Sequence, residues 1–165
     1  MLKGLVFYLL WVWACSNAWA FERLNDSASP RAMVAPQSVL TERGLPPDQD
    51  FSDYNRLDVH YGRIEYRLNT SAYVGQDVRI YFVMPNFVNG MMNPQALRAI
   101  WEGDGGFAGG SAYLGEQVLV WQGVVREPMM NAALNLRYEI RLDGLALPSR
   151  QGEGLEPYFV IERVR

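Results

Sequence analysis

The clearest alternation of apolar and polar positions in the chain lies between Leu134 and Asp143. Leu134, Leu136, Tyr138, Ile140 and Leu142 alternate with Asn135, Arg137, Glu139, Arg141 and Asp143, so an extended segment there turns one apolar face inward and one charged face outward. A second extended run, Gln117 to Val125, precedes it. Together they predict two strands joined by a loop over 126–133 that carries Met129 and Met130.

The same period of two recurs upstream. Leu57, Val59 and Tyr61 occupy odd positions, Ile64, Tyr66 and Leu68 even ones, and the parity changes at Gly62. A bulge at that glycine keeps both apolar sets on one core. Val78, Ile80, Phe82 and Met84 mark a further strand that must stop or lie at an edge by Pro85. Residues 97–102 fit two patterns: Leu97, Ala99 and Trp101 as the inner face of a strand, or a two-turn helix begun by Asn93-Pro94 and stopped by Gly103. Their brevity and their setting among strands favour the strand. Tyr158 to Val164 is apolar on both faces for its first half, as in a strand covered on both sides.

Six strands result, at 57–68, 78–84, 97–102, 117–125, 134–142 and 158–164. Short strands at this spacing, separated by Gly, Pro and Asn turns, predict an all-β fold: an antiparallel two-sheet sandwich, immunoglobulin-like, with an extended N-terminal leader. Gly103 to Gly115 holds six glycines in 13 residues and is expected as one long loop. It has no GxxxxGK[ST] or GxGxxG spacing, so nothing marks it as a phosphate cradle. Residues 21–53, with four prolines, read as the leader; Ala32 to Leu40 offers it at most a weak edge strand. The expected organisation is 1–20 signal peptide, 21–53 leader and 54–165 sandwich, the last folding without the leader.

The N-terminal assignment rests on Lys3, the 11-residue apolar run Gly4 to Ala14 and the Ala18-Trp19-Ala20 cleavage pattern, which together make a secretory signal too short to span a bilayer. Cleavage after Ala20 removes the chain's single cysteine and with it any disulfide or thiolate metal site. Val12-Trp13-Ala14-Cys15 also resembles a lipobox, in which Cys15 carries a lipid anchor, although Trp13 fits that pattern poorly. The only lysine lies in the signal, and the arginines that remain are scattered singly against 18 acidic residues, a balance that argues against nucleic acid.

Candidate chemistry is sparse. If successive strands alternate in direction, loops 85–96 and 126–133 emerge at one pole, opposite the glycine-rich loop. That would gather Phe87, Val88, Met91, Met92, Met129 and Met130 into an adaptable apolar contact surface for a partner protein. The competing readings of these methionines are simple closure of the core and a thioether site for Cu(I), although no Met-x-Met or Met-x-x-Met spacing supports the latter. Asp58 and His60, the only histidine, share a strand face, but no nucleophile motif accompanies them. Glu102 and Asp104 match no Ca²⁺ loop. Tyr54, Tyr73, Tyr81, Phe107 and Tyr113 are candidates for stacking on sugar rings.

The sequence therefore predicts an exported, non-enzymatic sandwich in the periplasm or at the cell surface. It would act through an envelope or surface protein partner, with no cofactor, no metal and no transmembrane helix in the mature chain. A carbohydrate-binding module is the first alternative. A small periplasmic enzyme or a methionine-based Cu(I) binder is the second.

Overall fold

Two antiparallel sheets face each other across one core in the computed structural model, which describes residues 21–30, 35–145 and 155–164. In chain order the strands are β1 (Glu22–Arg23), β2 (Ser38–Thr41), β3 (Arg56–Asn69), β4 (Asp77–Val83), β5 (Leu97–Asp104), β6 (Gly110–Tyr113), β7 (Gln117–Val124), β8 (Met129–Arg141) and β9 (Tyr158–Arg163). One sheet has the order β1-β9-β4-β7 and the other β2-β3-β8-β5-β6. The expected signal segment and its lipobox fall outside the described residues.

The pairing is nested. β5 pairs with β6, β4 with β7, β3 with β8 and β1 with β9, as if the chain were one long hairpin with its tip at 105–109. Rolling that hairpin adds two further pairings, β4 with β9 and β5 with β8, which close it into two layers. The antiparallel two-sheet sandwich expected from the sequence is thus present, and its strand order is that of a jelly roll.

Local sequence explains the key turns. The register of β3 against β8 slips between His60 and Gly62, and Gly62 sits at φ 72, a conformation that side-chain-bearing residues avoid. The extra residue restores phase, so the odd set before it and the even set after it reach the same core, as the parity change predicts. Residues 97–104 form a strand. The Asn93-Pro94 signal is used too: Asn93 Oδ1 accepts from Gln95 N at 3.0 Å and caps the 3₁₀ turn Pro94–Ala96 that leads into it.

Trp101, Phe82 and Phe159 are the largest fully buried side chains. Phe82 and Trp101 lie with ring centroids 4.5 Å apart. Trp101 also donates from Nε1 to Ala108 O at 3.1 Å, which ties the hairpin tip to the core. Burial drives the hydroxyl pKa of Tyr66 up to about 12 and that of Tyr138 well above its ordinary value, so both stay neutral and serve packing.

Three features depart from the sequence reading. The expected leader contributes strands at both outer edges, β1 beside β9 and β2 beside β3, and it buries Leu24, Thr41 and Asp50. The glycine-rich stretch is not one loop, because Gly110–Tyr113 pairs with β5 as β6. Finally, β8 begins at Met129, which pairs with Asn69, so Met129 and Met130 are strand residues and not loop residues.

Candidate functional site

The additional strand β6 reverses the direction of everything after it, and the methionine pairs part company. β4 ends and β8 ends at one pole, where Met92 N donates to Gly144 O at 2.9 Å and Met91 bridges to Leu145. β3 ends and β8 begins at the other, where Thr70 N donates to Pro128 O at 2.9 Å. Phe87, Val88, Met91 and Met92 therefore share the first pole, while Met129 and Met130 stand at the second, beside the glycine-rich tip. The expectation of all six residues on one surface is corrected accordingly. Four methionines do not converge, which removes the geometry that a thioether Cu(I) site needs.

The Met92 pole gains other residues in exchange. Residues 42–55, 85–93 and 142–145 meet there, joined by Leu142 N to Asn55 O at 2.8 Å, Asp143 N to Asn55 Oδ1 at 3.0 Å and the Met92–Gly144 bond. Gly144 permits the close approach, since a Cβ at that position would collide with the Ala96 side chain. Nine large apolar side chains are exposed among the described residues, and five of them stand on these three segments: Leu45, Phe51, Phe87, Met92 and Leu145. Phe51, Met92 and Phe87 are 97%, 77% and 70% exposed. Beneath them Val88 and Met91 are half-buried against the core and anchor the loop. Leu45, Phe51 and Leu145 escaped the sequence reading because each is a single apolar residue in a turn-rich stretch, where no periodicity flags it.

One buried carboxylate organises the segment that carries Leu45 and Phe51. Thr41 donates its hydroxyl to Asp50 Oδ2 at 2.6 Å, and Ser52 donates both its hydroxyl and its backbone N–H to Asp50 Oδ1. The Ser52 hydroxyl, and then that of Thr41, hold the Asp50 pKa below its ordinary value, while burial opposes them. Because folding lowers this pKa, the contribution of Asp50 is complete above the unfolded carboxylate value of about 3.9. It is lost as pH falls through the lower folded value. Amide exchange over residues 42–52, taken relative to its intrinsic rate at each pH, is accordingly expected to accelerate below about pH 4. Asp50→Ala should show the fast exchange already at neutral pH; an unchanged exchange profile would contradict this anchoring role.

The outer face of the five-stranded sheet is charged, but its ion pairs run along and between strands in an uneven way. The register sets like charges opposite each other, Arg56 with Arg141 and Asp58 with Glu139, and places His60 opposite Arg137, an unfavourable arrangement in itself. Relief comes from Arg56–Asp58 at 3.5 Å, Arg137–Glu139 at 3.4 Å and Arg98–Glu139 at 3.9 Å, the last reaching across from β5. Asp58 thus has Arg56 as its ion-pair partner. At the far end of the face Arg63 pairs with both Glu65 and Asp104, which engages one of the two carboxylates weighed for Ca²⁺. No group of three or more His, Cys, Asp or Glu suited to a metal occurs among the described residues.

Nor do the aromatic residues singled out for sugar stacking form a row. Tyr73 and Phe107 are buried, and Tyr54, Tyr81 and Tyr113 are half-buried at separate places. Tyr81 donates to Glu162 Oε2 at 2.8 Å, and Tyr113 lies beneath the Arg98 guanidinium, 5.7 Å from its ring centroid. No helix among the described residues is long and apolar enough to cross a membrane. Comparison with known proteins gives no matching family model, and neither a curated protein nor a solved structure matches the chain significantly.

Proposed function

We propose that this chain is an exported, non-enzymatic protein of the cell envelope or surface, and that it works by binding another protein through the Met92 pole. The observation that carries this reading is that five exposed large apolar side chains stand on three segments of chain that are bonded together at one end of the sandwich. Such a cluster on a protein surface marks an interaction site far more often than chance exposure does. Its chemistry suits a protein partner: Phe51 and Phe87 supply aromatic anchors and Met92 an adaptable one. The segments that carry them are fixed by hydrogen bonds at their bases and not by the apolar residues themselves, so the side chains stand free for contact. Export is supported by the signal-like first 20 residues.

A photo-reactive residue placed at position 92 is expected to give one discrete adduct in cells, whereas one placed at Gln122 gives none. The double substitution Phe87→Ser, Met92→Ser should abolish the adduct and weaken the purified complex by about 2 kcal/mol or more. Thermal stability should change by no more than about 0.5 kcal/mol, because both side chains are exposed. An adduct that survives the double substitution would sink the reading.

A further inference from the structure

The opposite pole carries a different kind of surface. A groove of about 510 Å³ opens there, lined by Trp121, Gly123, Arg126, Glu127, Met129 and Asn131 among others. Trp121 faces inward from β7, opposite Ile80. Since β7 is the outer strand of its sheet, the indole stands at the open flank of the sandwich and is only half-buried. Its six-membered ring lies against Gly123: a Cβ there would stand 3.4 Å from Cζ2 and Cη2. The missing side chain is what leaves the ring accessible.

The polar residues around this ring are uncommitted. The side chains of Arg126, Glu127 and Asn131 are exposed and make no hydrogen bond or ion pair with another described residue. The indole N–H of Trp121 likewise has no partner among the described residues, and it is not among the buried unsatisfied atoms, so it meets solvent. Trp101 differs on both counts, being fully buried with its N–H bonded to Ala108 O. One tryptophan completes the core and the other offers a platform.

We propose that this groove binds a glycan, with one pyranose ring stacked by its C–H face on Trp121 and its hydroxyls held by the rim. A sugar ring has an apolar face and a periphery of groups that both donate and accept. The groove presents the complement: an aromatic surface, a carboxylate acceptor, a guanidinium donor and an amide that does both. Adjacent Arg126 and Glu127 offset each other in charge, which fits a neutral saccharide. Glu127 and the acidic chain disfavour a polyphosphate backbone. A peptide added as a strand to β7 is blocked midway, because Ala108 N already donates to Val120 O at 2.7 Å.

Isothermal titration of the full chain with cellohexaose and with chitohexaose tests the proposal. At least one is expected to bind with a Kd below about 1 mM. Trp121→Ala should weaken binding at least about tenfold, and the double substitution Glu127→Ala, Asn131→Ala at least about fivefold. Met92→Ser, at the other pole, should change nothing. Should Trp121→Ala fail to fold by circular dichroism, the double substitution decides, since both residues are exposed and outside the core. Absence of binding by either hexasaccharide at about 10 mM overturns the proposal, as does binding that both site variants leave intact.

Discussion

Phe159→Ala is expected to lower folding stability by about 3–5 kcal/mol, a large part of the roughly 5–15 kcal/mol available to a domain. Phe159 sits on β9 opposite Phe82 of β4, the two rings 5.5 Å apart. It also meets Tyr66 of the facing sheet at 5.0 Å and Phe107 of the hairpin tip at 6.3 Å. One side chain therefore touches both sheets and the loop that closes the end of the core. Truncating it removes the apolar transfer energy and leaves a cavity that its rigid aromatic neighbours fill poorly. Urea denaturation provides the measurement, with the midpoint falling and the slope unchanged. A loss under about 1 kcal/mol would mean that these rings do not meet. Phe87→Ala provides the contrast, with an expected change within about 0.5 kcal/mol, because that ring is exposed.

A chain begun at Tyr54 is expected to show no cooperative unfolding transition at all. The first residue lost that matters is Leu24, buried in the core, whose burial contributes about 1.5–3 kcal/mol. β2 goes with it, and so does the Thr41–Asp50 hydrogen bond. So do the contacts that fasten β1, namely Phe21 edge-on to Tyr81 at 5.5 Å, the Tyr73 hydroxyl donating to Glu22, and Arg23 over the Tyr158 ring at 4.5 Å. Two central strands would become open edges, at Val160–Ile161 and at Leu57–His60, and such edges recruit other chains. Near-UV circular dichroism through a thermal ramp, with light scattering alongside, reports both effects. A sharp melting transition from the shortened chain would restore 21–53 to the status of a leader.

Most of the strands are readable because half-burial writes itself as alternation, clearest in β3, β4, β5 and β8, while β9 shows instead as a short run apolar on both faces. The bulge at Gly62 was readable for the same reason, as a change of phase. What escaped were elements too short or too plain to alternate: β1 has two residues, and β6 is Gly-Ser-Ala-Tyr within a glycine-rich stretch. The start of β8, Met-Met-Asn-Ala-Ala, is held extended by its partner β3 and not by its own propensity. The omission of β6 was the costly one. A single undetected strand inverts the direction of every later strand, which is why Met129 and Met130 arrive at the wrong end for the surface predicted from the sequence. Phe87, Val88, Met91 and Met92 stay together at one pole because all four lie on one loop, whatever the direction of the later strands. For Trp121 the position on a strand is legible in sequence, whereas its place at the flank of an outer strand is not.

The nested pairing also fixes an order of events. Trp101 can find Gly110 as soon as the hairpin tip forms, whereas Glu22 must wait for Ile161. Each outer pair closes a longer loop than the one inside it, and loop closure costs more entropy as the loop grows. Folding is thus expected to spread outward from residues 105–109 and to be slow for a chain of this length. Since β9 lies between β1 and β4 and carries Phe159 into the centre, a chain that emerges N-terminus first, from a ribosome or a translocation channel, can complete its five-stranded sheet early but neither the four-stranded sheet nor the core between the two until residues 158–163 are out.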